Sequence, residues 1–317
     1  MHVTELLDRA GEPQISFEII PPKRGTSADA LMAAVDDLMQ FNPPFIDVTS
    51  HSAEVEYTEL PDGTWHRRVK RKRPGTVGIC AAIKGRYGVE TVPHILCHGF
   101  NRNETEDVLI ELDYLGIHNV MALHGDDTGL QKKPGPDADF NRNALELVAQ
   151  IDAMNRGRYL DTSMVAHATD FCVGVAGYPE KHFKAPNLAW DVEFLKRKVD
   201  AGAHYVTTQM FFDPRHYERF VALCRGTGIK VPIIPGLKVL TTKRQLMVLP
   251  SRFYVEIPEE LAGEVTEASP EHVPDIGIRW CVAQCEALLN AGALCLHFYV
   301  MGRSAIVSQV VQRLRAI

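Results

Sequence analysis

The chain predicts a single (β/α)8 barrel, the TIM-barrel architecture, extending over residues 1–317. Eight strand-like runs alternate with helix-length segments, and those runs are continuously apolar, as a sheet covered on both faces requires. No Gly/Ser/Pro-rich linker divides them. In addition, polar residues stand at or near the C-terminal ends of the runs: Glu18, Thr49, His94, Asp126, Tyr178, Gln209 and Arg303. A parallel barrel brings such positions to one face, where together they point to a ligand site.

In order, residues 1–14 read as a short leading helix and turn, and residues 15–20 as the first buried strand, stopped by Pro21 and Pro22. Glu18 is the odd member of that run. Either a neighbouring Lys or Arg satisfies it, or burial raises its pKa and makes it a proton donor. Ser27 opens a helix to Met39, and residues 45–49 form the second strand with Thr49, Ser50 and His51 at its exit. Residues 54–75 read as an insertion, with Pro61-Asp62-Gly63 as the turn of a β-hairpin. Its second arm runs into the basic stretch 67–73, which predicts a solvated face, with a cofactor-phosphate or subunit contact as the alternatives.

A helix-compatible segment from Thr76 leads to the strand 91–97. The helix 104–115 ends at Gly116, and the strand 119–123 exits into His124, Gly125, Asp126 and Asp127. A polar loop 128–139 and a helix 143–155 follow. The strand beginning near Phe171 ends at Pro179 and delivers Tyr178, Glu180 and His182. Pro186 and Asn187 then start a helix whose apolar face is Leu188, Val192, Leu195 and Val199, closed by Gly202. Asp191, Phe194 and Lys198 line its flank at i, i+3 and i+7, which by itself describes a surface ion-pair edge. Residues 205–212 read as one strand, 216–224 as a helix and 231–236 as the seventh strand. Residues 241–290 are mostly helical with an acidic interruption over 259–271; the strand 294–299 and a closing helix complete the chain.

Composition narrows the class. An apolar fraction of 45% supports an ample core, and no run approaches a membrane span. The N-terminus lacks a signal-peptide pattern, and seven cysteines with no CxxC argue against a disulfide framework and a structural zinc site, so a cytoplasmic protein is expected. A net charge of −6 gives non-specific nucleic-acid binding little support. No GxGxxG, Walker A or HExxH motif occurs, and none of the thirteen histidines has convincing metal-ligand spacing.

Several ordered blocks resemble the methylenetetrahydrofolate reductase family. They are Phe17-Glu18-Ile19-Ile20-Pro21-Pro22-Lys23, Pro93-His94-Ile95-Leu96-Cys97, Ala122-Leu123-His124-Gly125-Asp126, Ala176-Gly177-Tyr178-Pro179-Glu180-Lys181-His182 and Thr208-Gln209-Met210-Phe211-Phe212-Asp213. Leu195-Lys196-Arg197-Lys198, Ile233-Ile234-Pro235-Gly236 and His297-Phe298-Tyr299 complete the pattern. The resemblance covers the family's catalytic barrel in its bacterial form, without the regulatory domain of eukaryotic relatives.

It implies noncovalent FAD, with NADH or NADPH as electron donor and 5,10-methylenetetrahydrofolate as the substrate reduced to 5-methyltetrahydrofolate. It also implies alternate use of one flavin face by the nicotinamide and the folate. Glu18 matches the family's acid, Asp126 its carboxylate near flavin and folate, and Gln209 its folate-binding amide. Thr49, His94, His124, Gly125, Ala176, Tyr178, His182, Asp191, Arg197 and Lys198 match FAD-contacting positions, and Arg303 matches a residue near the folate. His124 stands where many relatives carry Arg, and Lys243 falls where some carry an aromatic. Relatives form homo-oligomers, so one is expected here. The alternatives are another FAD-dependent barrel resembling proline dehydrogenase, a metal-dependent lyase or aldolase, and a non-catalytic folate- or nucleotide-binding protein.

Overall fold

The computed structural model describes residues 1–125, 139–163 and 165–316. The strands are β1 (Gln14–Ile19), β2 (Phe45–Val48), β3 (Glu54–Glu59), β4 (Trp65–Lys70), β5 (Glu90–Leu96), β6 (Asn119–Leu123), β7 (Cys172–Gly177), β8 (Tyr205–Thr208), β9 (Ile233–Ile234), β10 (Gly236–Leu237) and β11 (Cys295–Tyr299). All but β3 and β4 join one parallel sheet, in the order β10-β11-β1-β2-β5-β6-β7-β8-β9. Its two ends, β9 and β10, are halves of one strand interrupted at Pro235, so the sheet closes as the expected (β/α)8 barrel. Proline has no N–H to donate to the ladder, but the Pro235 carbonyl still accepts from the His297 N–H at 3.0 Å.

The interior holds side chains rather than a channel. Phe45, Val92, Met121, Cys172, Tyr205, Ile234 and Cys295 fill it, and Val3 and Leu7 pack against them from the leading helix α1 (Val3–Arg9). That helix is pinned there by Asn119, whose Oδ1 accepts the Val3 N–H at 2.8 Å while its Nδ2 donates to the Met1 carbonyl. Gly174 is required by this filling: a Cβ on it would lie 2.4 Å from the Tyr205 ring. A larger apolar layer, including Phe17, Ile46, Val120, Val173 and Phe298, packs the outer sheet face against the helices.

Three expectations need correction. The run 205–212 leaves the sheet at Thr208, and Met210 and Phe212 instead join a third apolar cluster with Leu240, Leu261 and Val265. Residues 231–236 form a broken strand, for the reason given by Pro235. The acidic stretch 259–271 interrupts the helical region only over its last residues: Glu259–Glu267 is a helix, its acids on the outside and Leu261 and Val265 buried, and the break falls at 268–272; two carboxylates in the first turn suit the positive end of the helix dipole.

The insertion at 54–70 is the hairpin expected, β3 pairing antiparallel with β4. Every residue of Trp65–Lys70 is exposed, so that part of the basic stretch is a solvated face. Its end is tied to the barrel, with Arg73 donating to the Pro21 carbonyl and Arg24 N–H to the Lys72 carbonyl. No helix among the described residues is long and apolar enough to cross a membrane.

Candidate active site

Because the barrel strands are parallel, their C-terminal ends form one rim, and that rim collects the polar residues picked out by sequence. On the wall formed by β1, β2 and β5, Glu18 lies beside Asp47 and Tyr299 in the ladder register. Burial pushes the Glu18 carboxyl up to about 7; His94 and Lys238 pull it down, and the charge of Asp47 adds to the rise. His94 is 8% exposed, with Nε2 3.5 Å from Glu18 Oε2 and 3.4 Å from Asp47 Oδ2. Burial works to lower the imidazole pKa, but Asp47 and Glu18 outweigh it and the net shift is upward. A carboxyl that keeps its proton near neutrality, next to an imidazole, is the chemistry of a general acid.

Lys238 closes this wall. It is buried, its Nζ donates to the Tyr299 carbonyl at 3.3 Å, and burial pulls its pKa down to about 8, helped by Arg303. Tyr299 in turn donates its hydroxyl to the Thr208 carbonyl, crossing above Gly236. A Cβ at Gly236 would lie 2.5 Å from that hydroxyl oxygen. Arg303 is exposed and donates to Thr241 Oγ1 at 2.9 Å.

The opposite wall is built by β7 and the helix Leu188–Asp200. Asn187 caps this helix by accepting the Trp190 N–H at 2.9 Å, which fixes where Asp191 and Lys198 project. Asp191 Oδ2 accepts the His182 N–H at 2.8 Å, and Lys198 Nζ donates to the Ala176 carbonyl at 2.6 Å. Both side chains are buried, so they are not the exposed ion-pair edge that helical spacing alone describes. Burial lowers Lys198 to about 8 against the pull of Asp191, and raises Asp191 against the His182 N–H and Lys198. Phe194 stands between them, 5.9 Å from the Lys198 ammonium; Arg197 is exposed and lies 5.5 Å from the same ring.

Tyr178 and His182 meet edge to face with ring centroids 4.7 Å apart. Burial, reinforced by Lys198, takes His182 down to about 4, so its imidazole is neutral. At the exit of β6, His124 packs against His98 at 4.1 Å, and Gly125 adopts φ +88, a left-handed conformation that favours glycine. Asp126 lies outside the described residues. Gln209 follows β8, its N–H bonded to the Gly177 carbonyl and its Oε1 accepting the Met210 N–H at 2.9 Å. Thr49 follows β2, its Oγ1 buried with no hydrogen-bond partner among the described residues.

Two features fit an anionic, hydrogen-bonding cofactor. Lys198 is a buried ammonium with no carboxylate at ion-pair distance among the described residues, a cost that a bound phosphate or flavin carbonyl would relieve. The Thr49 hydroxyl is an orphaned polar atom at the same rim. Sequence reading missed Asp47 and Lys238. Asp47 carried the signal that singled out Glu18, a carboxylate inside an apolar run; Lys238 follows Gly236 by two residues, just past the expected strand.

A family model described as methylenetetrahydrofolate reductase matches residues 2–315. Methylenetetrahydrofolate reductase 2 of Saccharomyces cerevisiae is 29% identical over 99% of this chain and 50% of its own length. The 5,10-methylenetetrahydrofolate reductase of Pectobacterium carotovorum is 28% identical over 95% of this chain and 90% of its own length. The chain thus spans about half the length of the yeast relative and most of the bacterial one. Among solved structures, oxaloacetate acetylhydrolase in complex with oxalate covers 99% of this chain and 84% of its own, with 10% identity and a TM-score of 0.51, a likeness of fold alone.

Proposed function

The chain belongs to the methylenetetrahydrofolate reductase family, and from that premise we propose that it reduces 5,10-methylenetetrahydrofolate to 5-methyltetrahydrofolate, with FAD as cofactor and NADH or NADPH as electron donor. The observation that carries the reading is Glu18: a carboxyl held near pKa 7 by burial at the rim, with His94 at 3.5 Å.

Bound FAD would supply the hydride, taken from the nicotinamide and passed to the one-carbon unit of the folate. The residues we assign to hold it are Thr49, His94, His124, Gly125, Ala176, Tyr178, His182, Asp191, Arg197 and Lys198, with Asp126 beyond the described residues. Lys198 offers a cation to an anionic group, while the neutral His182 and the Thr49 hydroxyl offer hydrogen bonds. Gln209 and Arg303 are assigned to the folate. Glu18 does the acid work: the five-membered ring of the folate opens as one C–N bond breaks, the nitrogen takes the Glu18 proton, and the carbon is left as the iminium that accepts the hydride. Protonating the departing nitrogen is worth about 10²–10⁴-fold in rate for a well-placed acid.

The test is spectroscopic. The freshly purified protein is expected to show a flavin absorption band that bleaches anaerobically with NADH or NADPH and returns on adding methylenetetrahydrofolate. A protein that neither carries nor takes up FAD overturns the cofactor assignment. A reduced flavin reoxidised by other acceptors but not by the folate overturns the substrate.

A further inference from the structure

Beneath the candidate acid lies a group that the reaction as written does not use. Asp47 sits next to Glu18 in the register of β1 and β2, and both carboxylates converge on one imidazole nitrogen, His94 Nε2, at 3.4 and 3.5 Å. Side-chain exposure falls from 15% at Glu18 to 8% at His94 and 1% at Asp47, so Asp47 is sealed from anything bound at the rim. Its second oxygen, Oδ1, has no hydrogen-bond partner among the described residues. A half-satisfied carboxylate in the barrel interior is costly, and packing does not call for it. Nor are the three arranged as metal ligands: no cluster of His, Cys, Asp and Glu among the described residues could hold a metal ion.

We propose that Asp47 is a positioning residue: by keeping His94 protonated it maintains a proton store that reloads Glu18 after each turnover. The inference rests on the folate-reducing role assigned to Glu18. When Glu18 has given its proton to the folate nitrogen it is a carboxylate facing His94. The Nε2–H bond of His94 then breaks as an O–H bond forms on Glu18 Oε2, leaving His94 neutral; a solvent proton restores the imidazolium. No electrons change hands. Because both carboxylates address the same nitrogen, His94 serves one at a time, and the arrangement is a switch rather than a wire. The other groups facing Glu18 are Lys238 and Tyr299; Tyr205, Tyr299, Cys80, Cys295 and His297 face Asp47, and His297 also faces His94. Neither Lys238 nor Tyr299 bonds His94, so the proton-carrying link between Glu18 and Asp47 runs through the imidazole, while the Asp47 charge also acts on Glu18 directly.

The experiment compares wild type with Asp47→Asn, which keeps the shape and removes the charge, measuring the two half-reactions separately against pH. In Asp47→Asn the alkaline limb of folate-dependent flavin reoxidation is expected to move down by about one pH unit or more, because His94 loses the opposite charge beside it and Glu18 loses a like charge that raises it. Flavin reduction by the nicotinamide stays unchanged, and Asp47→Glu restores the limb. A limb that does not move, or two half-reactions that fall together at every pH, overturns the proposal. An NMR titration of the His94 imidazole in the full chain gives a reading independent of turnover: its pKa is expected to drop in Asp47→Asn, or in Asp47→Ser should that variant be unstable. An imidazole that titrates alike with and without Asp47 sinks the proton store. Failure of wild type to reduce the folate, with the imidazole shift present, sinks the assigned reaction instead.

Discussion

Glu18 on β1 and Glu180 in the loop after β7 are both carboxyls that burial pushes up to about 7, but their surroundings differ. Glu18 has an imidazole at 3.5 Å and a cation, Lys238, acting on it. Glu180 accepts the backbone N–H of Glu256 at 2.6 Å, and the other charges acting on it are the carboxylates of Glu256 and Asp213. One proton therefore has a partner it can be exchanged with, while the other is held in a bracket that ties the loop after β7 to the segment before Glu259–Glu267. A raised carboxyl pKa marks burial; the neighbouring group decides whether the proton is useful.

The contrast can be broken by experiment. The largest effect is expected for Glu18→Gln, which should lose roughly 10²–10⁴-fold in folate reduction, while oxidation of the nicotinamide by the flavin stays within a few-fold. Equal losses in both half-reactions would place Glu18 in cofactor binding instead. Next comes Lys198→Met on the opposite wall, expected to weaken FAD binding about tenfold, the scale of one charge-assisted hydrogen bond. Once the variant is saturated with cofactor, its folate half-reaction should match wild type; a cofactor titration followed by single-turnover reoxidation separates the two.

Smallest is Glu180→Gln, expected to leave folate reduction within about twofold and to change stability by about 1 kcal/mol in a denaturant titration. Its pH dependence has a definite sign. The folded-state pKa of Glu180 lies above the ordinary carboxylate value of 4.5, so the folded chain binds the extra proton more tightly between 4.5 and about 7. Wild type therefore loses that share of its stability as pH rises through this window. The glutamine variant does not, so the difference in unfolding midpoints should shift in the variant's favour from acid to neutral pH.

The barrel was legible because burial on both faces writes itself as uninterrupted apolar runs, and the closing strand was hidden only in that Pro235 splits it in two. The overlong run 205–212 has a physical cause: Met210 and Phe212 are apolar because they pack under Leu240 and Leu261, not because they lie in the sheet. The helix Glu259–Glu267 was masked by its exposed acids, which dilute the local apolar signal while Leu261 and Val265 keep helical spacing. At the rim, Glu18, His94 and Lys198 were each visible as polar residues in or beside apolar elements. Their pairing was not visible, since the distance from His94 Nε2 to Asp47 and Glu18 depends on how three strands align. The same limit applies to Asp191 and Lys198, where spacing describes the helix edge but not which side of it is covered.

The central claim is that Glu18 delivers the proton on which folate reduction depends, and the pH dependence of a single turnover tests it most directly. Flavin is reduced anaerobically with NADH or NADPH, the donor removed, and the reoxidation rate with methylenetetrahydrofolate followed from about pH 5.5 to 9 in wild type and Glu18→Gln, a range that brackets the raised carboxyl. A wild-type rate that falls as pH rises through about 7, over a slow and pH-independent rate in the variant, is the predicted result. A wild-type rate that stays level across that range, or a variant that keeps the wild-type profile, would contradict it.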